Sequence, residues 1–143
     1  MKKKIIVKLG DIAESALVAP GRASSLDALA STKQKPALNF RAAYNLLEVR
    51  QHLEVYDQMR REALEEVLPE GQQRLTVDVF GDPESEEAQD AFEEARKAFN
   101  ARMEEILEVE VELEIYPLDP EQVEGLGVID VARLMYMFEV SEE

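Results

Sequence analysis

Between Glu108 and Ile115 the chain alternates strictly, with Glu108, Glu110, Glu112 and Glu114 interleaved with Val109, Val111, Leu113 and Ile115. A helix would scatter both sets around its circumference, whereas a strand sends successive side chains to opposite faces and sorts them completely. The segment is predicted as a strand with one apolar face. Glutamates crowded on the other face repel one another, so the strand calls for a basic neighbour. The start of the chain offers one. In Lys4-Ile5-Ile6-Val7-Lys8-Leu9, Ile5, Val7 and Leu9 share a face, Lys4 and Lys8 lie mostly on the other, and Gly10 ends the run. The two strands are expected to pair, with Lys4 and Lys8 set against Glu110, Glu112 and Glu114.

Between these strands the apolar spacing turns helical. Asp11 to Val18 reads as a short helix broken by Ala19-Pro20-Gly21, and Ser24 or Ser25 caps another through Ala30, before a turn from Thr32 to Pro36. Asn39 is the expected N-cap of a long helix running to about Val67, with a seam of Leu46, Val49, Leu53, Tyr56, Ala63 and Val67. Leu75 to Phe80 alternates like a strand. Asp82 as N-cap and Pro83 as first residue open a second long helix, with a seam of Ala88, Phe92, Ala95, Phe99, Met103 and Ile106. The two seams are expected to bury each other as an antiparallel hairpin. After the glutamate strand, Asp119-Pro120 caps a short helix ended by Gly125, and Asp130 caps a last helical turn bearing Val131, Leu134, Met135 and Phe138. The predicted class is α+β: a long antiparallel helical hairpin packed on a small β-sheet, with short C-terminal helices, in a single domain spanning 1–143.

Charge is unevenly spread. The net −15 arises from +5 between Met1 and Arg61 and −20 from Glu62 onward. Such a field disfavours direct nucleic-acid binding and anionic membranes, and favours a protein partner with a basic surface or a site that normally holds nucleic acid. Greater solubility is the plainer use of the same charge. With 0 cysteines the chain has no disulfide, thiolate metal site or Cys nucleophile. No apolar run approaches a bilayer span, and Lys2-Lys3-Lys4 leads into a strand pattern instead of a signal-peptide core, so a cytoplasmic setting is expected.

Motifs for catalysis do not assemble. His52, the 1 histidine, has Glu48 one turn earlier, but a metal site needs further ligands of the right kind, and a helix-surface role suits it better. Ser24 and Ser25 have no orienting base beyond that histidine. Gly125-Leu126-Gly127 opens like a dinucleotide fingerprint that lacks its third glycine and its βαβ setting. The pairs Glu65-Glu66, Glu93-Glu94 and Glu104-Glu105 read as solvated helix faces. No catalytic residue, metal ligand or cofactor is expected. Two features remain as binding candidates. Arg22, Lys33, Lys35 and Arg41 gather basic charge before the first long helix, suited to an anionic ligand or to a solvated loop. Leu134-Met135-Tyr136-Met137-Phe138 is an apolar run that serves either as core or, through Met135, Tyr136 and Phe138, as an adaptable contact; self-association stays open.

The layout also carries a resemblance. A strand ending in Val7-Lys8-Leu9-Gly10-Asp11-Ile12 precedes Leu26-Asp27-Ala28-Leu29-Ala30. The helix Ala42-Ala43-Tyr44-Asn45-Leu46-Leu47 continues into Leu53-Glu54-Val55-Tyr56, and the chain closes with Val109 to Leu118 and a Glu124-Gly125 turn. This resembles a family of small proteins of unknown function from tailed bacteriophages and prophages, over most of the chain and without a catalytic signature. The loop from Val18 to Ser25 and the Leu75–Phe80 insert depart from the family pattern. The resemblance implies a phage source and no established active residues. The expected function is a non-enzymatic interaction protein that binds a host protein, such as RNA polymerase or a defence component, and modulates or inhibits it. Two alternatives are a virion-assembly or tail accessory chaperone, and an oligomeric sponge for a small nucleotide held by the basic loop.

Overall fold

The computed structural model describes residues 2–17, 23–31, 36–119, 121, 123 and 126–138. The elements in chain order are β1 (Lys3–Lys8), α1 (Leu9–Ser15), α2 (Ser25–Ser31), α3 (Pro36–Val67), α4 (Glu86–Leu107), β2 (Glu110–Ile115) and α5 (Val128–Arg133), with 3₁₀ turns at Val77–Phe80 and Met135–Met137. The class is α+β. The chain divides into two compact units: one of Met1–Glu54 with Val109–Glu143, the other Val55–Glu108. Helix α3 contributes to both.

In the first unit β1 and β2 pair antiparallel, Lys3 opposite Ile115 through Lys8 opposite Glu110. The period-two pattern sorts as its chemistry demands. Leu113 and Ile115 are fully buried, Ile5, Val7 and Val111 pack against the same core, and the lysines and glutamates face water. Lys4 reaches Glu112 at 3.8 Å and Lys2 reaches Glu114 at 3.5 Å. Exposed pairs of this kind contribute little stability but penalise a one-residue slip of register. Against the apolar face lie Ile12 of α1, Leu26 and Leu29 of α2, Leu38, Ala42 and Val49 of α3, and Leu118, Leu134, Met137 and Phe138 from the C-terminal segment. Ser24 caps α2 by accepting the Asp27 N–H at 3.1 Å. Leu118 and Phe138 form a short parallel bridge, with the Leu118 N–H donating to the Met137 carbonyl at 2.8 Å.

The second unit holds the C-terminal part of α3, the connection and α4. Its fully buried side chains are small, Ala63, Ala88 and Ala95, together with Ile106. Phe92, Phe99 and Met103 of the predicted α4 seam are half-buried, and the Arg60 guanidinium lies 5.9 Å from the Phe99 ring centre.

Several local expectations are corrected. Helix α3 begins at Pro36, so Asn39 lies inside it and is not its N-cap. Proline suits the first helical position because its missing N–H is one that no helix could satisfy. The α3 seam is divided. Val49 belongs to the core beneath the sheet and Leu46 and Leu53 pack on it, leaving Tyr56, Ala63 and Val67 for the unit that contains α4. A 32-residue helix is about 48 Å long, against about 33 Å for the 22 residues of α4, so one helix partner could not cover it.

Leu75–Phe80 is no strand. Among the described residues no neighbour offers it a ladder, and a lone strand leaves its backbone groups unpaired. The segment tightens at Val77–Phe80 into a 3₁₀ turn that sets Val77 and Phe80 on one face and packs against α4. The N-cap of α4 is Ser85, whose hydroxyl accepts the Ala88 N–H at 3.2 Å. Asp82 makes a local turn instead, accepting the Glu84 N–H at 3.0 Å. Gly127 precedes α5, and Asp130, three residues in, reaches back to accept the Gly127 N–H at 3.4 Å instead of capping as predicted. The helix expected after Asp119 and the Glu124-Gly125 turn lie largely outside the described residues.

Candidate interaction surfaces

Three surfaces present themselves, each built from the elements above. The first is the second unit itself. It carries 16 acidic against 6 basic residues, net −10, and every one of the acidic side chains is exposed. Two short ion pairs sit within α4, Arg96 to Glu93 at 2.8 Å and Arg102 to Glu105 at 3.0 Å. The Arg96 guanidinium holds the Glu93 carboxyl below the usual carboxylate range. Glu86 and Glu87 occupy the first turn of α4, where the helix dipole favours negative charge. Helical structure thus tolerates this charge without gathering it into a pocket. The depression near the end of α3, about 520 Å³, is open and lined by Glu65, Leu68, Pro69, Glu70, Gln72 and Gln73 with Gly71 at its turn.

The second is the sheet edge beside α3. Asn45 is fully buried on the core side of the helix, where an apolar residue would be expected. Its amide donates to the Tyr116 carbonyl and its carbonyl oxygen accepts the Tyr116 N–H, both at 2.8 Å. One turn on, the Glu48 carboxylate accepts the Glu114 N–H at 3.4 Å. Two side chains of α3 therefore replace a third strand along the outer edge of β2. Tyr116 stacks edge-on against Tyr44 at 5.0 Å and tilted against Phe40 at 6.0 Å. Lys2 lies 5.0 Å over the Tyr44 ring, and the Tyr44 hydroxyl with nearby Glu114 holds its ammonium above the ordinary value. Phe40 and Leu47, two turns apart on the same face of α3, are 64% and 60% exposed.

The third is the C-terminal run. Phe138 is buried in the core and Met137 fully so, whereas Met135 is 52% exposed. Tyr136 is largely buried, its hydroxyl 2.8 Å from that of Ser15, and burial pushes its pKa up to about 12. Ser15 also donates to the Ile12 carbonyl at 2.6 Å. Of the basic candidates, Arg41 is exposed on α3, and Arg22, Lys33 and Lys35 lie outside the described residues. The groove between α2 and α3, about 390 Å³, is lined among the described residues by Leu29, Ser31, Asn39, Ala42 and Leu46 with small alanines, none of them charged.

Glu48 is engaged with the β2 backbone instead of joining His52, and Ser25 donates to Asp130 at 2.8 Å in a buried pair that ties α2 to α5. Among the described residues no group of three or more His, Cys, Asp or Glu could hold a metal ion, and no helix is long and apolar enough to cross a membrane. Reasoning from sequence missed Asn45. Its signal was positional: a lone amide among Leu38, Ala42 and Val49 at helical spacing.

No family model matches the chain, and neither the curated proteins nor the solved structures hold a match to it.

Proposed function

We propose that this chain is a non-enzymatic interaction protein that acts by occupying a protein partner with a basic surface. The carrying observation is the exposure of every acidic side chain in a unit of net −10 whose interior is built mainly of alanines. Charge in that arrangement adds nothing to a core, and its long-range effect is to steer oppositely charged surfaces. Joined to the phage resemblance, the reading is a cytoplasmic phage-type protein that binds a host protein, such as RNA polymerase or a defence component, and modulates it.

The test is affinity capture from host lysate followed by association kinetics with the recovered protein. Association should slow as salt rises past about 0.15 M, where the Debye length falls to about 8 Å. The variant Glu87→Gln/Glu94→Gln/Glu104→Gln should associate more slowly with its fold intact. Salt-insensitive association would overturn the proposal, as would turnover of a substrate that vanishes on changing a single carboxylate.

A further inference from the structure

The two outer edges of the sheet are treated differently. The hydrogen bonds of Tyr116 and Glu114 to α3 show that even-numbered residues of β2 turn their backbone groups away from β1. Odd-numbered residues therefore face the partner strand, as the Leu9 N–H donating to the Val109 carbonyl at 2.7 Å confirms. In the antiparallel register Lys3, Ile5 and Val7 exchange bonds with Ile115, Leu113 and Val111. It follows that Lys4 and Ile6 direct their N–H and C=O groups outward, along the edge of β1 away from β2, while Lys8, the residue that leads into α1, turns its carbonyl to that helix. Among the described residues no hydrogen bond from another element meets Lys4 or Ile6 on that side. No residue of β1 is buried, and Ile6 is 69% exposed.

An edge of this kind is a template for another strand, and lysines along it deter a like-charged one. A second copy of β1 added antiparallel would set lysine against lysine. The existing neighbour shows what the strand accepts: β2 places glutamates beside Lys4 and Lys8 on the exposed face. We propose that the open edge of β1 is a β-augmentation site for an extended acidic segment of another protein. Residues directly opposite in a sheet share a face, so the segment should read acidic-x-apolar-x-acidic, its acidic side chains facing Lys4 and Lys8 and its apolar one facing Ile6. The lysine strand then lies between two acidic ones. This site is separate from the acidic unit, opposite to it in charge preference, and independent of the function proposed above.

The probe is a synthetic ten-residue peptide with Glu, Val and Glu at alternate central positions, added to the full chain while amide exchange is followed by NMR. In the free protein the amides of Ile5 and Val7 should be protected and that of Ile6 should exchange freely. Saturating peptide should slow the Ile6 amide at least about tenfold. Reversing both charges, Lys4→Glu with Lys8→Glu, should weaken binding about tenfold, because it sets like charges across both exposed cross-strand pairs. Ile6→Pro removes only an outward donor and should abolish binding with circular dichroism unchanged. If that variant fails to fold, the charge reversal and the Ile6 amide still decide. An Ile6 amide already protected without peptide would overturn the proposal. So would equal binding of a peptide with Lys in place of Glu, or slowed exchange at Ile5 and Val7 alone.

Discussion

The two units solve the burial problem in opposite ways. The first encloses Leu113, Ile115, Leu118, Leu134 and Met137 completely, with Asn45, Ser15 and Ser25 buried among them and hydrogen-bonded. The second buries three alanines and one isoleucine and leaves its aromatic rings half in water. Apolar area removed from water is the main stabilising quantity, at roughly 25 cal/mol per Å², so the first unit should hold most of the stability. The second carries the denser charge. As far as stability is concerned, such a chain tolerates changes in its acidic surface and hardly any in its β-sheet core.

The largest expected effect sets the two interiors side by side. Leu113→Ala should cost about 2–5 kcal/mol, and Phe92→Ala about 1–2 kcal/mol because its ring is already partly solvated, both read from denaturant midpoints. Equal losses would break the comparison. Asn45→Leu comes next. It strips both hydrogen bonds from the half-buried Tyr116 backbone just past β2 and should cost about 2–4 kcal/mol. Glu48→Gln, which keeps an acceptor for the Glu114 N–H, should cost under about 1 kcal/mol.

A pH effect follows from Tyr136. Its folded pKa of about 12 stands above the unfolded value near 10, because burial disfavours the phenolate. The neutral form's contribution is complete below pH 10 and is lost as pH rises through 12, amounting to about 3 kcal/mol. Tyr136→Phe should remove that loss from an alkaline unfolding titration. Smallest of all, Glu87→Gln with Glu94→Gln should move stability by no more than about 0.5 kcal/mol per site, or raise it slightly as repulsion falls.

Sequence pattern foretold the sheet because two signals coincided there: period-two hydrophobicity and opposite charge on the solvent face. Strand identity followed from residues next to one another, and the pairing and the placement of Lys4 against glutamate from two such patterns that match in charge across the length of the chain. Ser24 as the cap of α2 was equally local. What escaped depended on distant partners. Leu75–Phe80 has a strand's alternation without a strand's neighbour, and its backbone settled into a 3₁₀ turn. The α3 seam is continuous in sequence, yet Val49 and Ala63 lie in different cores, a division that no periodicity records. Asn45 was passed over because its partner, Tyr116, lies 71 residues away. Of the candidate surfaces, the charge imbalance was visible from composition, whereas the burial of Phe138 and the open edge of β1 required the fold.

Native-state hydrogen exchange tests the central contrast most directly, because it reports the opening free energy of each unit in one intact molecule. The amides of Leu113, Ile115 and the Leu38–Val49 stretch of α3 should exchange last, at the free energy of global unfolding. Those of α4 from Ala91 to Ala101 should exchange through a lower-energy opening, with the difference preserved across denaturant. If the α4 amides prove as slow as those of β2, the two units unfold as one and the account is contradicted.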